Sequence, residues 1–310
     1  MKHRALLNLT MLLVVFVASG AHCLPGSYSQ LTPPPIVFQN EPTLGELIQE
    51  INQNRSLISS IYSTRAAISG SGFPGLRATL AIGSPQKIRL QAGTGISGSE
   101  LDVGSNEELF WIWIKRNQPP AMYYGYHDRL AGSAAHQKLP IKPEWLVEAI
   151  GFIYLDPSRH YDGPYRRPDG RLEIRTRIPS SAGEMTKSLV VDAQSGWVFE
   201  QHLIDPNGKL LASAYNSNHT RDTASGATLP RRTTIRWHET SKEIRLELHD
   251  VQINPPPLGE NLWTKPDYPG FPNVDVTQPQ SPEGLPQRGS LITPHRPSAS
   301  LPPPALPQRY

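Results

Sequence analysis

Cysteine is almost absent, with Cys23 the single thiol in 310 residues. One thiol excludes an internal disulfide, a thiolate zinc cluster and a CxxC redox pair. A dominant charge of one sign is missing as well. The formal net charge is +3, and Lys2 and Arg4 supply two of those charges with no acid among the first 22 residues. The rest carries no basic run or stripe, so nucleic acid is not an expected partner. Catalytic signatures are also missing: there is no GxSxG, HExxH, P-loop lysine or dinucleotide glycine fingerprint. The small-residue stretch Gly93–Ser99 precedes no helix start, so it reads as a hairpin loop and not as a phosphate cradle. No cofactor is expected.

What is present begins with an export signal over residues 1–22. MKHR is followed by ALLNLTMLLVVFVASGA: a basic start, an apolar core and small residues. Asn8 and Thr10 interrupt the apolar run, which falls short of a membrane span. Cys23 stands where a bacterial lipoprotein signal would end. His22 and Gly20, however, occupy positions that such a signal fills with a small and an aliphatic residue. A lipid on Cys23 would tether the chain to a membrane surface without spanning it; the alternative is ordinary cleavage after Gly20 or Ala21. Residues 23–42, with Pro33, Pro34 and Pro35, read as a tether. Asn54 and Asn218 head glycosylation sequons by pattern.

Regular structure begins at Thr43. TLGE makes Thr43 an N-cap with Glu46 three residues on, and Leu44, Leu47, Ile48 and Ile51 follow a helical period. From Ser60 the period becomes two: IYSTRAAIS, LRATLAIG, KIRLQA, SELDV, LFWIWIK and AMYYGYH are successive strand candidates. A second helix is expected at 143–152, with Pro143 in its first turn. Strands then resume, joined at Asp192–Gly196 and Asp205–Gly208 by turns with glycine where positive φ is needed. About eleven strands in sequential hairpins with two helices indicate a mainly β (α+β) domain over 43–254, built on one curved antiparallel sheet.

The strand Leu109–Ile114 is apolar on both faces and needs cover on both. Asp102, beside Gly104, reads as a turn former. His127, Asp128, His136, His160 and Asp162 are the best acid/base or metal candidates. Their spacing matches no ligand pair, so they read as solvated loop residues, with no metal expected. An envelope hydrolase using His127, His136 or His160 is the weakest functional reading. Residues 255–310 hold 15 of the 32 prolines, with four acids balancing four bases, and read as a disordered proline-rich tail. In it, Pro304-x-x-Pro307-x-Arg309 fits a ligand of a polyproline-binding partner, although an extended spacer explains the composition as simply.

The order of these segments resembles the outer-membrane lipoprotein-sorting proteins, the LolA/LolB-like carriers and receptors. The likeness runs over 43–254: an amphipathic helix, ISSIYSTRAAIS, LRATLAIGSPQKIRLQ with Pro85, ELDVGSNEELFWIWIK, a middle helix, paired hairpins, then LPRRTTIRW and IRLELHDVQIN. It implies a half-open antiparallel barrel lidded by the two helices, holding acyl chains of lipoproteins in an apolar interior. Ser84 stands where the soluble carriers keep an arginine, Ser105-Asn106 replaces their Asp-Gly turn, and Ile112 their tyrosine. A tethered member on the periplasmic side of a bacterial outer membrane fits Cys23 better than a diffusing carrier. The cavity-lining candidates are Leu80, Leu90, Leu101, Phe110, Trp111, Ile112, Trp113, Tyr123 and Tyr124. The expected function is non-catalytic binding of an acyl chain or lipidated protein. The alternative is an envelope interaction module whose barrel is filled by its own side chains and whose tail reaches a partner.

Overall fold

The computed structural model describes residues 35–278, apart from 84–85, 97, 131–132, 134–142 and 181–182. The export signal, Cys23, Ser84, Pro85, His136 and the Pro304–Arg309 motif lie outside the described residues. Among the described residues no helix is long and apolar enough to cross a membrane.

Helix α1 (Leu44–Ser56) starts where its capping box places it. Glu46 N donates to Thr43 Oγ1 at 3.3 Å, and Thr43 N donates to Glu46 Oε2 at 2.7 Å. Two donors that a helix start leaves unpaired are thereby satisfied. The helix buries Leu47 and Ile51, and two asparagines fasten it by pairing with backbone. Asn52 bonds both the N–H and C=O of Leu155 (2.8 and 2.7 Å), and Asn54 does the same for Thr228 (2.7 and 2.9 Å). Asn54→Ala would strand two backbone groups of a buried residue, at about 2 kcal/mol. The expected result in urea is a lower midpoint at unchanged slope.

The strands form one 14-stranded, unclosed sheet. Its first run is β1 (Ile61–Gly70), β2 (Phe73–Ile82), β3 (Ile88–Thr94), β4 (Gly98–Ser105), β5 (Leu109–Ile114) and β6 (Met122–Tyr126). Among the described residues two short helices follow, α2 (His127–Leu130) and α3 (Pro143–Ala149). The second run is β7 (Tyr161–Arg166), β8 (Leu172–Ser180), β9 (Gly183–Val191), β10 (Val198–Ile204), β11 (Leu210–Arg221), β12 (Thr228–Trp237) and β13 (Lys242–Ile253). Neighbours in each run pair antiparallel, and β1 pairs with both β2 and β13, joining the runs in mid-sheet. The turns at 192–196 and 205–208 form as expected. Asp192 Oδ1 accepts from Ser195 N at 2.8 Å, Asp205 Oδ1 accepts from Asn207 N at 2.8 Å, and Gly196 and Gly208 have φ of 71° and 84°.

Cross-strand partners share a face, so the register shows what each face holds. Ile174, Leu189, Gln201, Ala214 and Ile235 follow one another across β8–β12. In the other run, Leu80, Leu90, Val103, Ile112 and Tyr123 do the same across β2–β6. Against this inner face pack α1, with Leu47 and Ile51, and α3 with the turn after it, through Val147, Ile150 and Phe152.

The last folded strand departs from the sequence-based expectation. Residues 255–278 are folded and strap the outer face. A 3-10 turn at Glu260–Trp263 buries Trp263, and β14 (Asn273–Asp275) pairs parallel with β6 at the sheet edge. Tyr268 stacks on Trp113 with centroids 3.8 Å apart, and Phe271 meets Trp113 edge-on at 5.2 Å. Trp111 and Trp113, 0% and 3% exposed, are thus sealed under the strap, while Ile112 on the opposite face is 41% exposed. The proline content masked three aromatic side chains able to bury.

Asp102 is corrected too. It lies inside β4, fully buried, and accepts five hydrogen bonds. Arg89 Nε and Trp111 Nε1 donate to Oδ1 at 3.1 Å each; Arg89 Nη2, Gln91 Nε2 and Tyr268 Oη donate to Oδ2 at 2.7, 3.0 and 2.8 Å. Arg89 Nη1 also donates to Leu262 O and Thr264 O, so one ion pair clamps strap to sheet. Burial and the Asp102 acceptor push the Tyr268 phenol well above its ordinary value. Gly104 leaves room for this arrangement, since a Cβ there would lie 2.1 Å from the Trp111 ring. The turn is formed by Asn106, whose Oδ1 accepts from Glu108 N and Leu109 N at 2.9 Å each.

Candidate ligand cavity

A cavity of about 710 Å³ opens on the inner face between α1, α3 and β8–β10, within the range of roughly 300–1,000 Å³ typical of small-molecule sites. Period-two alternation sends Thr176 and Ile178 of β8, Met185 and Lys187 of β9 and Leu203 of β10 into it. Trp145, Val147 and Glu148 of α3 line it from above, with Phe152, Leu155 and Tyr161 from the segment that follows. Asn52 and Arg55 contribute from α1.

Its charges are arranged in pairs. Lys187 bonds Glu148, and Arg159 lies 3.7 Å from Asp156. Arg55 donates to Ile58 O and lies 4.9 Å over the Phe152 ring; burial pulls its guanidinium below the ordinary value. Burial likewise raises the Tyr161 phenol. The indole Nε1 of Trp145 and Oε2 of Glu144 are buried without a hydrogen-bond partner among the described residues.

None of the nine cavity candidates lines this space. Leu80 is fully buried, with Leu90 and Leu101 packed against the same self-filled core, which also contains Ile68, Ala78 and Leu246. Phe110, Ile112 and Tyr123 share that inner face by register, on the open β5–β6 side. Trp111, Trp113 and Tyr124 point the other way, under the strap. The sequence reading placed the cavity in the most aromatic half of the sheet; the cavity of about 710 Å³ among the described residues lies in the other half. A strand rich in tryptophan shows that cover exists, but not whether the cover is chain or ligand. The sequence offered Trp145 beside Glu144 on the middle helix as a signal, and the sequence reading did not single them out.

The polar candidates divide. His127 Nε2 sits 3.0 Å from both Ser105 Oγ and Asn106 O, holding the β4–β5 turn. His160 pairs with Asp162 at 3.1 Å on the surface. Among the described residues no group of three metal-ligating side chains converges.

A smaller cavity, about 110 Å³, lies between α1 and β10–β12, lined by Glu50, Asn216 and His219. His219 stacks on Trp197 and donates from Nε2 to Val198 O at 3.1 Å. Burial lowers its pKa from 6.5 to about 4. The unfolded chain therefore takes up this proton first. Stability from neutral His219 is present above pH 6.5 and is lost as pH falls towards 4, by about 2–3 kcal/mol in all. His219→Phe is expected to remove that part of the acid sensitivity, read from melting temperatures between pH 7 and 4.

No family model and no curated protein matches the sequence. Solved structures do match the fold. A putative outer membrane lipoprotein-sorting protein domain from Vibrio parahaemolyticus matches at 13% identity and a TM-score of 0.46, over 70% of this chain and 94% of that one. A LolA superfamily protein from Nitrosomonas europaea matches at 11% identity and a TM-score of 0.45, over 72% and 98%. A DUF1329 family protein from Desulfovibrio piger matches at 10% and 0.43, over 68% and 92%. These likenesses concern the fold; at such scores they carry no argument about ligand or partner.

Proposed function

We propose that this chain is an exported envelope protein, tethered to a membrane through Cys23, that binds an acyl chain or the acyl group of a lipidated protein without catalysis. The observation supporting this is the apolar cavity between the helices and β8–β10. Each methylene buried there contributes about 0.8 kcal/mol, so a chain segment gives useful affinity with no reactive group. Native mass spectrometry of the protein purified from a lipid-containing host tests it, together with uptake of a fluorescent fatty acid. Met185→Trp, which projects a larger ring from β9 into the path of the chain, is expected to weaken uptake about tenfold, about 1.4 kcal/mol. A protein always ligand-free and without uptake contradicts the proposal, and so does full uptake by the variant.

One observation favours the interaction-module alternative for the other half of the barrel. Between β1 and β4 the inner face is filled by the chain's own Ile68, Ala78, Leu80 and Ala92. Under that reading, removing residues 279–310, which leaves the strap intact, abolishes partner capture and spares acyl uptake.

A further inference from the structure

We propose that the cavity reads the head of a bound acyl chain as an amide, not a free carboxylate, through Trp145 and Glu144. This rests on the acyl-binding reading above and adds what the site selects.

Size admits a chain. Taking a methylene as roughly the 30 Å³ share of a water molecule in the liquid, a chain of about fifteen carbons needs about 450 Å³, and the cavity offers about 710 Å³, enough for one chain and its head.

Unpaired atoms set the chemistry of the head. Trp145 is 5% exposed, and among the described residues its Nε1–H has no acceptor and Glu144 Oε2, on the neighbouring residue, has no donor. Both residues line the cavity. Leaving buried polar groups unpaired costs about 1–3 kcal/mol each. An amide supplies both missing partners: its C=O accepts from Trp145 Nε1 and its N–H donates to Glu144 Oε2.

Charge excludes the alternative head. Each cation on the cavity wall is engaged: Lys187 with Glu148, Arg159 with Asp156, Arg55 with Ile58 O. At the α3 end, Glu144 and Glu148 outnumber Lys187. A carboxylate there would meet a carboxylate without a counter-ion, and would have no N–H for Glu144.

The test titrates the delipidated full chain with N-dodecanoyl-glycinamide and with dodecanoate, following binding by native mass spectrometry. The expected result is the amide bound about tenfold or more tightly than dodecanoate. Trp145→Phe should weaken the amide about three- to tenfold, and Glu144→Gln should tighten dodecanoate and narrow the ratio. Dodecanoate binding as tightly as the amide, or a ratio unmoved by both substitutions, would overturn the proposal. Binding of neither probe would instead remove the acyl-binding reading on which it rests.

Discussion

Ending the chain at Asn254 is expected to cost more than any single substitution, at least about 5 kcal/mol. The cut removes Tyr268 and Phe271 from Trp113, Trp263 from its buried site, and β14 from the edge of β6. Covering one large apolar side chain is worth about 1.5–3 kcal/mol, and Trp111, Trp113 and Met122 all lose cover. Against a total of roughly 5–15 kcal/mol for a domain, the shortened chain should be unfolded or aggregated at 37 °C. A chain ended at Gln278 should melt with the full-length protein. Equal melting of the chains ended at 254 and 278 would show that the strap is a passenger.

Asp102→Ala is the second large effect, expected at about 3–5 kcal/mol, because it leaves Arg89 charged and buried without its partner. Four different side chains lose an acceptor at once. The same pair replaced jointly by apolar residues, Asp102→Leu with Arg89→Met, should be less damaging than Asp102→Ala, since no charge is then stranded. A double mutant at least as unstable as Asp102→Ala would mean that the stranded charge is not the cause. Thermal unfolding of the two variants decides between these.

Much of this architecture was legible in the sequence, because local chemistry determines it. Thr43 and Glu46 cap α1, Asp192 and Asp205 shape their turns with Gly196 and Gly208, and period-two alternation marks most of the strands. What escaped depends on contacts distant in sequence. Asp102 beside glycine resembles a turn former until Arg89 and Tyr268, 13 and 166 residues away, are brought to it. The tail was judged on its prolines as a whole. Trp263, Tyr268 and Phe271 all precede residue 279, and Tyr310 is the sole aromatic beyond it; dividing the segment at that change of composition would have kept residues 255–278 with the folded part. The cavity escaped for a related reason. Leu109–Ile114 needs cover on both faces, and periodicity does not say that Tyr268 covers one of them. Thr176, Lys187 and Glu148 are unremarkable polar residues in sequence, and only the sheet register and α3 together gather them around an apolar space.

The central claim is that an acyl chain occupies the space between α3 and β8–β10, not the aromatic half of the sheet. Photo-crosslinking with a diazirine placed near the end of a dodecanoyl amide, followed by peptide mapping, tests it most directly. Label is expected on residues 145–161 and 176–187, and it should fall sharply in Met185→Trp. Label concentrated on Phe110–Ile114 and Tyr123, unaffected by that substitution, would contradict it.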